Sequence, residues 1–444
     1  MRFYDRDIEL KSLNESRAIA FSKVSQMTVL TGRRRIGKTK LMLKSCEGMP
    51  TVYLFVSRSS ETTLCAQFSQ TLRDSLGAFV PERIGSFRDL FRYMMELGKQ
   101  KAYNLIIDEI QEFATINPSV FSDIQNIWDA TKDDARVHLM ISGSVYSLMH
   151  RIFMDYKEPL YGRASCIMRV KPFSVSVLKQ ILREHSPQYS NDDLLALYAL
   201  TGGVPKYVEL LMDGGAFTVD AMIGQVVREN SVFIEEGNIM LVQEFGKRYG
   251  NYYAILLAIA SGVNEPSRIA SVTGQQSLGG SLLHLEDDYA LVTKLRPVMA
   301  KEGTHTLKYE ISDHFLRFWF RYIVKYQNLV QTGRFDDLRS LVLADYPDYS
   351  GRVLEADFRE KIAEEQSFEQ IGSWWEGKRS GTSEQHEVDI VAVYLKEKRV
   401  LMAEVKRQRK NFNAAKFQHK VEHLKQKLFA QYVIETACFT LEDM

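Results

Sequence analysis

The chain has 444 residues, enough for about two to four domains, and its 45% hydrophobic and 25% charged residues are typical of a globular protein. With a formal net charge of +1, the chain as a whole does not attract the negative charge of nucleic acid or of a membrane surface, so any affinity for them must come from local basic patches. The four cysteines lie far apart without a C-x-x-C, and the nine histidines form no H-E-x-x-H, which argues against a disulfide framework and a zinc site.

The N-terminal stretch MRFYDRDIELKSLNE is charged from its second residue and lacks the apolar region of a signal peptide. No run of the chain approaches the roughly 18 apolar residues of a membrane span. Together with the scattered cysteines, these features predict a cytoplasmic protein that does not contact a membrane.

A glycine-rich loop follows the first predicted strand. MTVLT at residues 27–31 predicts that strand, GRRRIGKT follows at residues 32–39, and KLMLKSC continues as a helix. In the pattern G-x-x-x-x-G-K-T, glycines let backbone N–H groups turn toward phosphates, Lys38 reaches the β- and γ-phosphates, and the Thr39 hydroxyl holds Mg²⁺. The alternative is a glycine turn before an ordinary helix. The predicted nucleotide-binding residues of this loop are Gly32, Arg33, Arg34, Arg35, Ile36, Gly37, Lys38, Thr39 and Lys40.

The stretch YNLIIDEI at residues 103–110 predicts a buried strand that ends in two acids. Asp108 is expected to hold Mg²⁺ through water and Glu109 to polarise the attacking water, although the pair could also be the N-cap of a helix. TVYLFVS and HLMISGS predict further buried strands. Ser142 and Ser144, at the end of the latter, either sense the γ-phosphate or form a turn.

GRRRIGKT, IIDEIQEF and SGSVYSLM together resemble the archaeal-type ATPase family, an AAA-like, STAND-related branch of P-loop ATPases also found in bacteria. The resemblance implies ATP and Mg²⁺ as ligands. FYDRDIELKSL resembles the family's opening motif, which implies that Arg6 lies near the nucleotide base. PLYGRASCIMRVKPFS resembles the segment with an arginine finger, here Arg163, and TGGVPKYVELL resembles the GG-x-P motif of a helical lid, here Gly203 and Pro205. Read without the resemblance, Arg163 is equally an ordinary surface arginine and TGGVP a loop between helices; a finger acting in trans would require a homo-oligomer.

The middle of the chain has helical periodicity and then the pattern of a winged helix. VLKQILREH, DDLLALYALTGG and KYVELLMDGG predict the lid, and three helical segments followed by KLRPVMAKEGTHTLKYEIS predict helices with a β-wing. Winged helices read DNA or pack between domains. The candidate recognition helix at residues 277–289 carries Glu286, Asp287 and Asp288, which repel phosphate and favour packing.

The last hundred residues predict a helix with Glu355, a strand, a charged hairpin and a basic helix. This order resembles the PD-(D/E)-x-K nuclease fold, to which the C-terminal domain of the same ATPase family is related. Asp389 and Glu404 offer oxygens to a divalent cation, with Glu355 approaching from the helix. Lys406 shares a strand face with Glu404 and would position water or offset transition-state charge.

The same charges have simpler explanations, because an exposed hairpin face or a structural ion cluster would also carry them. Two features favour the metal site: the flanking residues are apolar on both faces, and residues 396–427 hold eleven Lys or Arg against three acids. That basic segment predicts contact with DNA, unless it is only a solvated helix surface.

We therefore predict an α/β chain with a P-loop parallel sheet, a helical lid, a winged-helix middle domain and a C-terminal α/β nuclease-like domain. The predicted boundaries are 1–172 for the ATPase core, 173–235 for the lid, 236–312 for the winged helix, 313–350 for a helical connector and 351–444 for the nuclease-like domain. The predicted function is an Mg²⁺-ATP-binding ATPase coupled to a nuclease-like, DNA-interacting domain. The alternatives are a regulatory NTPase whose C-terminal domain is catalytically inactive, and an ATP-responsive winged-helix DNA-binding regulator.

Overall fold

The computed structural model describes residues 1–81, 84–246, 249–275, 277–301, 303, 306–376 and 386–444. Residues 302, 304 and 305 of the predicted wing lie outside them. The chain divides into two compact units: the first unit comprises residues 2–172 and 204–206, and the second unit comprises residue 1 with residues 173–203 and 207–444. In the described ranges, no helix combines the length and the hydropathy that crossing a membrane requires.

The first unit contains a parallel sheet in the strand order β2-β3-β4-β1-β5. Its strands are β1 (Gln26–Thr31), β2 (Thr51–Phe55), β3 (Tyr103–Asp108), β4 (Val137–Ser142) and β5 (Cys166–Arg169). Every residue of β3 and β4 is buried, as expected for central strands covered on both faces. Because all strands run in the same direction, their carboxyl ends meet at one edge of the sheet, where the glycine-rich loop after β1 also lies.

Helices cover this sheet and close an apolar core around the strands. They are α1 (Asp7–Ser22), α2 (Lys38–Ser45), α3 (Glu61–Leu76), α4 (Phe87–Gln100), α5 (Phe113–Ile116), α6 (Val120–Thr131) and α7 (Tyr146–Met154). Serine caps start α3 and α4, where Ser60 and Ser86 accept backbone N–H bonds, and the rings of Phe87 and Phe113 pack 4.6 Å apart in the core. Local capping and apolar burial thus fix the helices that hold the sheet edge in place.

The second unit begins with a helical segment that was predicted as a lid. Its helices are α8 (Val175–His185), α9 (Asn191–Thr201), α10 (Pro205–Asp213), α11 (Val219–Val226) and α12 (Val232–Phe245), of which the first two residues of α10 belong to the first unit. A capping box between Ser190 and Asp193 starts α9, and Gly202 ends it in the left-handed conformation. All residues of α9 from Asp193 to Thr201 are buried, so this helix is the core of the segment.

A winged-helix arrangement follows, with three helices and an antiparallel pair of strands. The elements are α13 (Tyr249–Ala260), α14 (Pro266–Thr273), α15 (Gly279–Leu283), β6 (Val292–Leu295) and β7 (Lys308–Ile311). The predicted recognition helix is only the short α15, which continues as a wide π-type turn at His284–Asp288. The acids that disfavour DNA lie in that turn.

Three further helices lead to the C-terminal sheet: α16 (His314–Phe318), α17 (Gln327–Gln331) and α18 (Phe335–Glu365), with a π-type segment at Trp319–Val324 after α16. Helix α18 has 31 residues and contains Pro347. It therefore runs without interruption through the predicted boundary between residues 350 and 351, and the division of residues 173–444 into four domains stays a prediction.

The C-terminal elements are β8 (Gln370–Trp375), β9 (Glu387–Tyr394), β10 (Arg399–Val405), α19 (Ala414–Leu428) and β11 (Val433–Phe439). The sheet order is β11-β10-β9-β8; β8, β9 and β10 form an antiparallel meander, and β11 lies parallel to β10 after the crossover through α19. With α18 in front, the order is α-β-β-β-α-β, so the predicted α/β fold class is confirmed. Of the predicted charges, Glu355 lies in the C-terminal half of α18, Asp389 near the start of β9, Glu404 at the end of β10, and Lys406 directly after β10.

Candidate functional site

The phosphate loop, residues 32–39, has a backbone that only its glycines allow without strain. Gly32 has φ 143°, and a Cβ there would lie 2.7 Å from the carbonyl oxygen of Val170. Gly37 has φ 89° and precedes the first residue of α2, and Arg35 between them is also left-handed, with φ 65°. Positive-φ residues that are interspersed with ordinary ones in this way turn backbone N–H groups to one side, so the loop is shaped as a cradle for an anion.

Lys38 and Thr39 close this cradle from the start of α2. The buried Lys38 ammonium donates to the carbonyl oxygens of Gly32 at 2.8 Å and Arg33 at 3.0 Å. The Thr39 hydroxyl donates to Asp108 at 2.6 Å. The loop, its lysine and the acid of β3 thus meet as the sequence predicted, whereas the Lys40 side chain is exposed.

Asp108 is buried at the end of β3 and accepts hydrogen bonds from three hydroxyl groups. Besides Thr39, Tyr53 donates at 3.0 Å to the same oxygen, Oδ2, and Ser142 donates to Oδ1. Burial and then the charge of Asp108 raise the pKa of Tyr53 above its usual value. Tyr53 was not predicted. Ser142, for which the sequence suggested either sensing of the γ-phosphate or a turn, contacts the acid of the neighbouring strand.

Glu109 is held in a left-handed conformation, with φ 59°, immediately after β3. Its Oε2 accepts from both the backbone N–H of Ser144, at 3.3 Å, and the Ser144 hydroxyl, at 2.7 Å, and also from Gln111. A residue that is strained and anchored in this way has a fixed carboxylate. The two serines of HLMISGS therefore bind one acid each.

Arg6 lies beside the segment that follows β5. It is 5% exposed, and its guanidinium donates to the carbonyl oxygen of Lys171 at 2.8 Å and pairs with Glu9 at 3.1 Å. Lys171 follows β5 at the edge of the sheet where the phosphate loop lies, so Arg6 is near that edge. Its role at the nucleotide base stays a prediction.

The two residues predicted from the GG-x-P motif lie in a tight turn before α10. Gly203 has φ 72°, and a Cβ there would lie 2.1 Å from the carbonyl oxygen of Phe173. Pro205 is the first residue of α10, and Lys206 after it donates its backbone N–H to the carbonyl oxygen of Arg35 at 3.4 Å. Lys206, directly after this motif, thus contacts the phosphate loop.

The predicted finger Arg163 does not lie at the phosphate-loop edge of its own chain. It precedes β5, at the amino end of the parallel strands, where it pairs with Asp129 at 3.1 Å. Arg169 is the arginine at the carboxyl end of β5; it pairs with Thr31 in register and lies over the Tyr146 ring, 5.4 Å from its centroid. A role for Arg163 in catalysis therefore needs a second subunit, and Arg169 is a further candidate that the sequence did not single out.

A second charged site, the carboxylate centre, is formed by Glu355, Asp389, Glu404 and Lys406. The Lys406 ammonium lies 3.5 Å from Asp389 Oδ2 and 3.5 Å from Glu404 Oε1. Asp389 Oδ2 also accepts from the backbone N–H of Val405 at 2.9 Å. Neighbouring strands β9 and β10 thus bring together the acids and the lysine predicted from the hairpin.

Lys420 is a member of this centre that the sequence did not reveal. Its ammonium lies 2.7 Å from Glu404 Oε1, closer than that of Lys406, and its side chain is 15% exposed. AAKFQHKVEHLKQKLF had suggested only a basic outer face. The signal was the helical period: Lys420 lies between Phe417 and Leu424, which are both buried, so it borders the inward face of α19.

The carboxylates of the centre crowd each other and change their proton affinities. Burial and then the charge of Asp389 raise the pKa of Glu355 to about 8. Burial also raises the pKa of Asp389, against the opposing effects of the Val405 N–H and Lys406. Burial lowers the pKa of Lys406, but the negative charges of Asp389, Glu404 and Glu355 outweigh burial, so the pKa is raised overall. Near neutral pH the centre therefore retains a proton on Glu355 that a divalent cation could replace.

The basic segment 396–427 is used partly inside the protein. Its side chains that pair with acids are Arg399, Lys406, Arg407, Lys420 and Lys427. Arg409, Lys410 and Lys416, which follow β10 and begin α19, are exposed. The surface available to an acidic partner is thus smaller than the sequence count suggested and lies close after Lys406.

Arg407 links this end of β10 to helix α9. Its Nη2 lies 2.8 Å from Asp192 Oδ2, and its Nη1 donates to the Ser350 hydroxyl. Tyr346 donates to Asp192 Oδ1 at 2.9 Å, and the guanidinium lies over the Tyr346 ring. The residue after Lys406 is therefore bonded to the first turn of the most buried helix of the lid segment.

Two family models match the chain. Residues 3–211 match a family described as an ATPase domain predominantly from Archaea. Residues 319–418 match a family described as archaeal and bacterial proteins of unknown function. The first match contains the phosphate loop and the acids that follow β3, and the second contains Glu355, Asp389, Glu404 and Lys406 but ends before Lys420.

Two curated relatives come from Methanocaldococcus jannaschii. The uncharacterized protein MJECL04 is 29% identical over 413 residues, which are 91% of this chain and 87% of the relative. The uncharacterized protein MJ0424 is 37% identical over 68 residues, 15% of this chain and 66% of the relative. Among solved structures, the Walker-type ATPase PABY2304 of Pyrococcus abyssi superposes with a TM-score of 0.53 at 20% identity, covering 72% of this chain and 96% of that one. At this identity, the likeness to the Pyrococcus abyssi structure shows a shared fold and no more.

Proposed function

We propose that this chain is an ATPase of the archaeal type, that it binds ATP with Mg²⁺ at the phosphate loop, and that its nucleotide state controls a nuclease-type carboxylate centre. The observation that carries the second part is the meeting of two acids and Lys406 on adjacent strands of an α-β-β-β-α-β domain.

The ATPase chemistry rests on residues of the first unit. Lys38 would exchange the carbonyls of Gly32 and Arg33 for phosphate oxygens, and the N–H groups of the loop would bind the rest of the phosphate charge. Glu109, held by Ser144, would orient the attacking water and accept its proton. Because the Ser144 hydroxyl binds the same oxygen of Glu109, it fixes the direction in which that carboxylate points.

A magnesium ion fits the donors at the end of β3. Thr39 and Asp108 offer two oxygens 2.6 Å apart, the hard donor type that Mg²⁺ takes in nucleotide sites. When bound, the ion would neutralise charge on the phosphates. The hydroxyls of Tyr53 and Ser142 would then hold the Asp108 carboxylate in place.

The carboxylate centre likewise offers oxygens to a divalent cation, through Asp389, Glu404 and Glu355. When bound, the cation would supply Lewis-acid polarisation of a phosphodiester. Lys406, between Asp389 and Glu404, would position a water molecule or offset charge on the pentacovalent phosphorus. We propose DNA as the substrate class or partner, recognised through the exposed basic residues after β10.

The first test concerns the ATPase. Lys38→Ala should abolish nucleotide binding or hydrolysis, because the loop would lose its charged phosphate ligand. Lys44→Ala is the matched control, since Lys44 lies on the same helix but is exposed and pairs with Glu47 at 2.7 Å. Unchanged turnover in Lys38→Ala, with phosphate release measured under saturating ATP, would show that the phosphate loop is not the ATP site.

The second test concerns cleavage. Metal-dependent cutting of single- and double-stranded DNA should be lost in Asp389→Asn and Lys406→Ala but not in Glu397→Gln, an exposed acid of the same hairpin that pairs with Arg399. Cutting by both variants at the wild-type rate, or no cutting by the wild type on any substrate, would refute the nuclease mechanism. RNA substrates in the same assay test the breadth of the substrate class.

One observation favours a second candidate, a regulatory ATPase whose C-terminal domain binds nucleic acid without cleaving it. Lys420 lies 2.7 Å from Glu404, and this ion pair competes with a metal for the carboxylate. In that case DNA binding does not depend on a metal at Glu404, and Lys420→Met should not lower DNA affinity by changing metal binding. DNA affinity that is equal with Mg²⁺ and with EDTA, in a wild type that does not cut, would identify this alternative.

A further inference from the structure

We propose that Glu376, His386 and His423, here called the histidine cluster, bind a divalent transition-metal ion such as Zn²⁺. One ligand atom from each residue lies within 4.8 Å of the others, and all three side chains are half-buried. The cluster is separate from the carboxylate centre, and its metal binding does not depend on the proposed nuclease activity.

The three residues come from different parts of the C-terminal domain. Glu376 follows β8 and His386 precedes β9, and the backbone N–H of Glu376 donates to the carbonyl oxygen of His386 at 3.1 Å. His423 projects from α19, with its ring 4.5 Å from that of His386, centroid to centroid, and nearly parallel to it. A strand pair and a helix thus converge at one point, where a backbone hydrogen bond already joins two of the three residues.

The distances fit a shared ion after small side-chain rotations. His423 Nε2 lies 3.2 Å from Glu376 Oε1. Two ligands at about 2.0–2.1 Å from a tetrahedral zinc ion are roughly 3.3 Å apart. His419, one helical turn before His423, has its ring 5.6 Å from that of His386 and is a candidate for the fourth position.

The donor set selects the class of metal. Two imidazole nitrogens and one carboxylate suit Zn²⁺, Co²⁺ or Ni²⁺, whereas Mg²⁺ and Ca²⁺ take sites made of oxygens. In the sequence the signal is the spacing H-x-x-x-H at residues 419–423, which places both rings on one face of a helix. An H-E-x-x-H search misses it because the residue after His419 is Lys420.

Lys427 provides the competing explanation, in which the cluster is only a set of ion pairs. Its ammonium donates a hydrogen bond to Glu376 Oε1. The Lys427 side chain is 43% exposed, so its release to water costs little. A metal ion can therefore displace this ammonium from the carboxylate.

A metal here would fasten α19 to the end of the β8–β9 pair. The same helix carries Lys420, whose ammonium lies on Glu404 of the carboxylate centre. His423 follows Lys420 by one helical turn, so a metal ion that holds His423 in place also holds the part of α19 that carries Lys420. The inferred role is therefore structural: the ion would hold α19, and with it Lys420, against the sheet.

The experiment uses the full chain, stripped with a chelator and titrated with Co²⁺, whose visible absorption reports tetrahedral nitrogen and oxygen ligation, and with Zn²⁺ in competition. The wild type should bind one ion at this site, with an affinity that falls as the pH is lowered, because protons compete with the metal for its ligands. His423→Ala and His386→Ala should each weaken binding at least tenfold, about the range measured when metal sites lose supporting groups.

Two control variants separate the cluster from other sites. His284→Ala removes a histidine that pairs with Asp288 on a helix outside the cluster and should leave the Co²⁺ affinity unchanged. Asp389→Asn alters the carboxylate centre and should leave the tetrahedral Co²⁺ absorption unchanged. The proposal is overturned if wild type and His423→Ala bind Co²⁺ equally, if the absorption reports only oxygen ligands, or if Asp389→Asn removes the bound ion while His423→Ala retains it.

Discussion

The ion pair between Arg407 and Asp192 is expected to stabilise the second unit with a coupling energy of about 1–2 kcal/mol, so the combined variant should be less destabilised, by that amount, than the sum of the two single variants. The perturbation is a double-mutant cycle of Arg407→Met, Asp192→Asn and the combined variant. Methionine keeps the apolar stem that packs along Tyr346, and asparagine keeps the oxygen that accepts from the Tyr346 hydroxyl. The cycle thus isolates the charge interaction.

The magnitude follows from distance and exposure. At a separation of about 4 Å and an effective dielectric of about 20, two unit charges attract by roughly 4 kcal/mol. The Arg407 side chain is 17% exposed and Asp192 is 34% exposed, so solvent screens part of this attraction and burial of the guanidinium cancels another part. Burial lowers the pKa of Arg407, yet hydrogen bonding and the charge of Asp192 raise it overall, so attraction exceeds the desolvation cost.

Urea unfolding followed by tryptophan fluorescence measures the coupling, because Trp319, Trp374 and Trp375 lie in the second unit and only Trp128 lies in the first. The four proteins should show similar slopes with different midpoints. A coupling below about 0.5 kcal/mol would mean that the pair contributes no more than an ordinary surface contact, and the inferred link between α9 and β10 would then lack energetic support.

Three other changes have defined outcomes. Glu355 has a pKa of about 8 in the folded chain and 4.5 when unfolded, so the stability of the wild type should fall as the pH rises through this window. Between pH 5.5 and 8.5 the urea midpoint of Glu355→Gln should fall less than that of the wild type. Parallel curves for the two proteins would contradict the raised pKa. Arg169→Ala should slow ATP hydrolysis at least tenfold in the monomer. Arg163→Ala should slow it only if sedimentation in the presence of ATP shows an oligomer. Equal rates for wild type and Arg169→Ala would exclude Arg169 from catalysis. Gly203→Ala should cost at least about 3 kcal/mol, since its Cβ would meet a carbonyl oxygen at 2.1 Å, while Gly215→Ala, with a similar φ of 69° and open space, should cost only about 1 kcal/mol by thermal or urea unfolding.

The phosphate loop was predictable because its determinants are contiguous. Gly32, Gly37 and Lys38 act through the backbone of one short segment, so their spacing alone specifies the conformation. Tyr53 was not predictable in this way. It reaches Asp108 only because β2 pairs with β3 in the sheet, and strand order is a property of the whole fold.

The C-terminal domain shows the same division between local and long-range signals. The alternation of β10 placed Glu404 and Lys406 on one face from sequence, and the structure brings both within 3.5 Å of each other. Lys420 was missed because its partner is distant in sequence. The start of α18 was also missed, since a proline such as Pro347 usually interrupts a helix; here it is exposed, so the carbonyl left without a partner can bind water.

The alternation of side chains at the end of β10 also suggests how nucleotide binding could be transmitted. Lys406 is held to β11, with its backbone N–H on the Phe439 carbonyl at 2.9 Å, and its side chain points to the acids of the carboxylate centre. Arg407, the next residue, binds Asp192 of α9. Consecutive residues thus face the proposed metal site and the lid helix, and a displacement of α9 that Arg407 follows must shift the backbone that carries Lys406. If nucleotide moves α9, the ATP dependence of DNA cleavage or binding should therefore be weaker in Arg407→Met than in wild type, while ATP hydrolysis stays unchanged; an unchanged ATP dependence would mean that the signal takes another path.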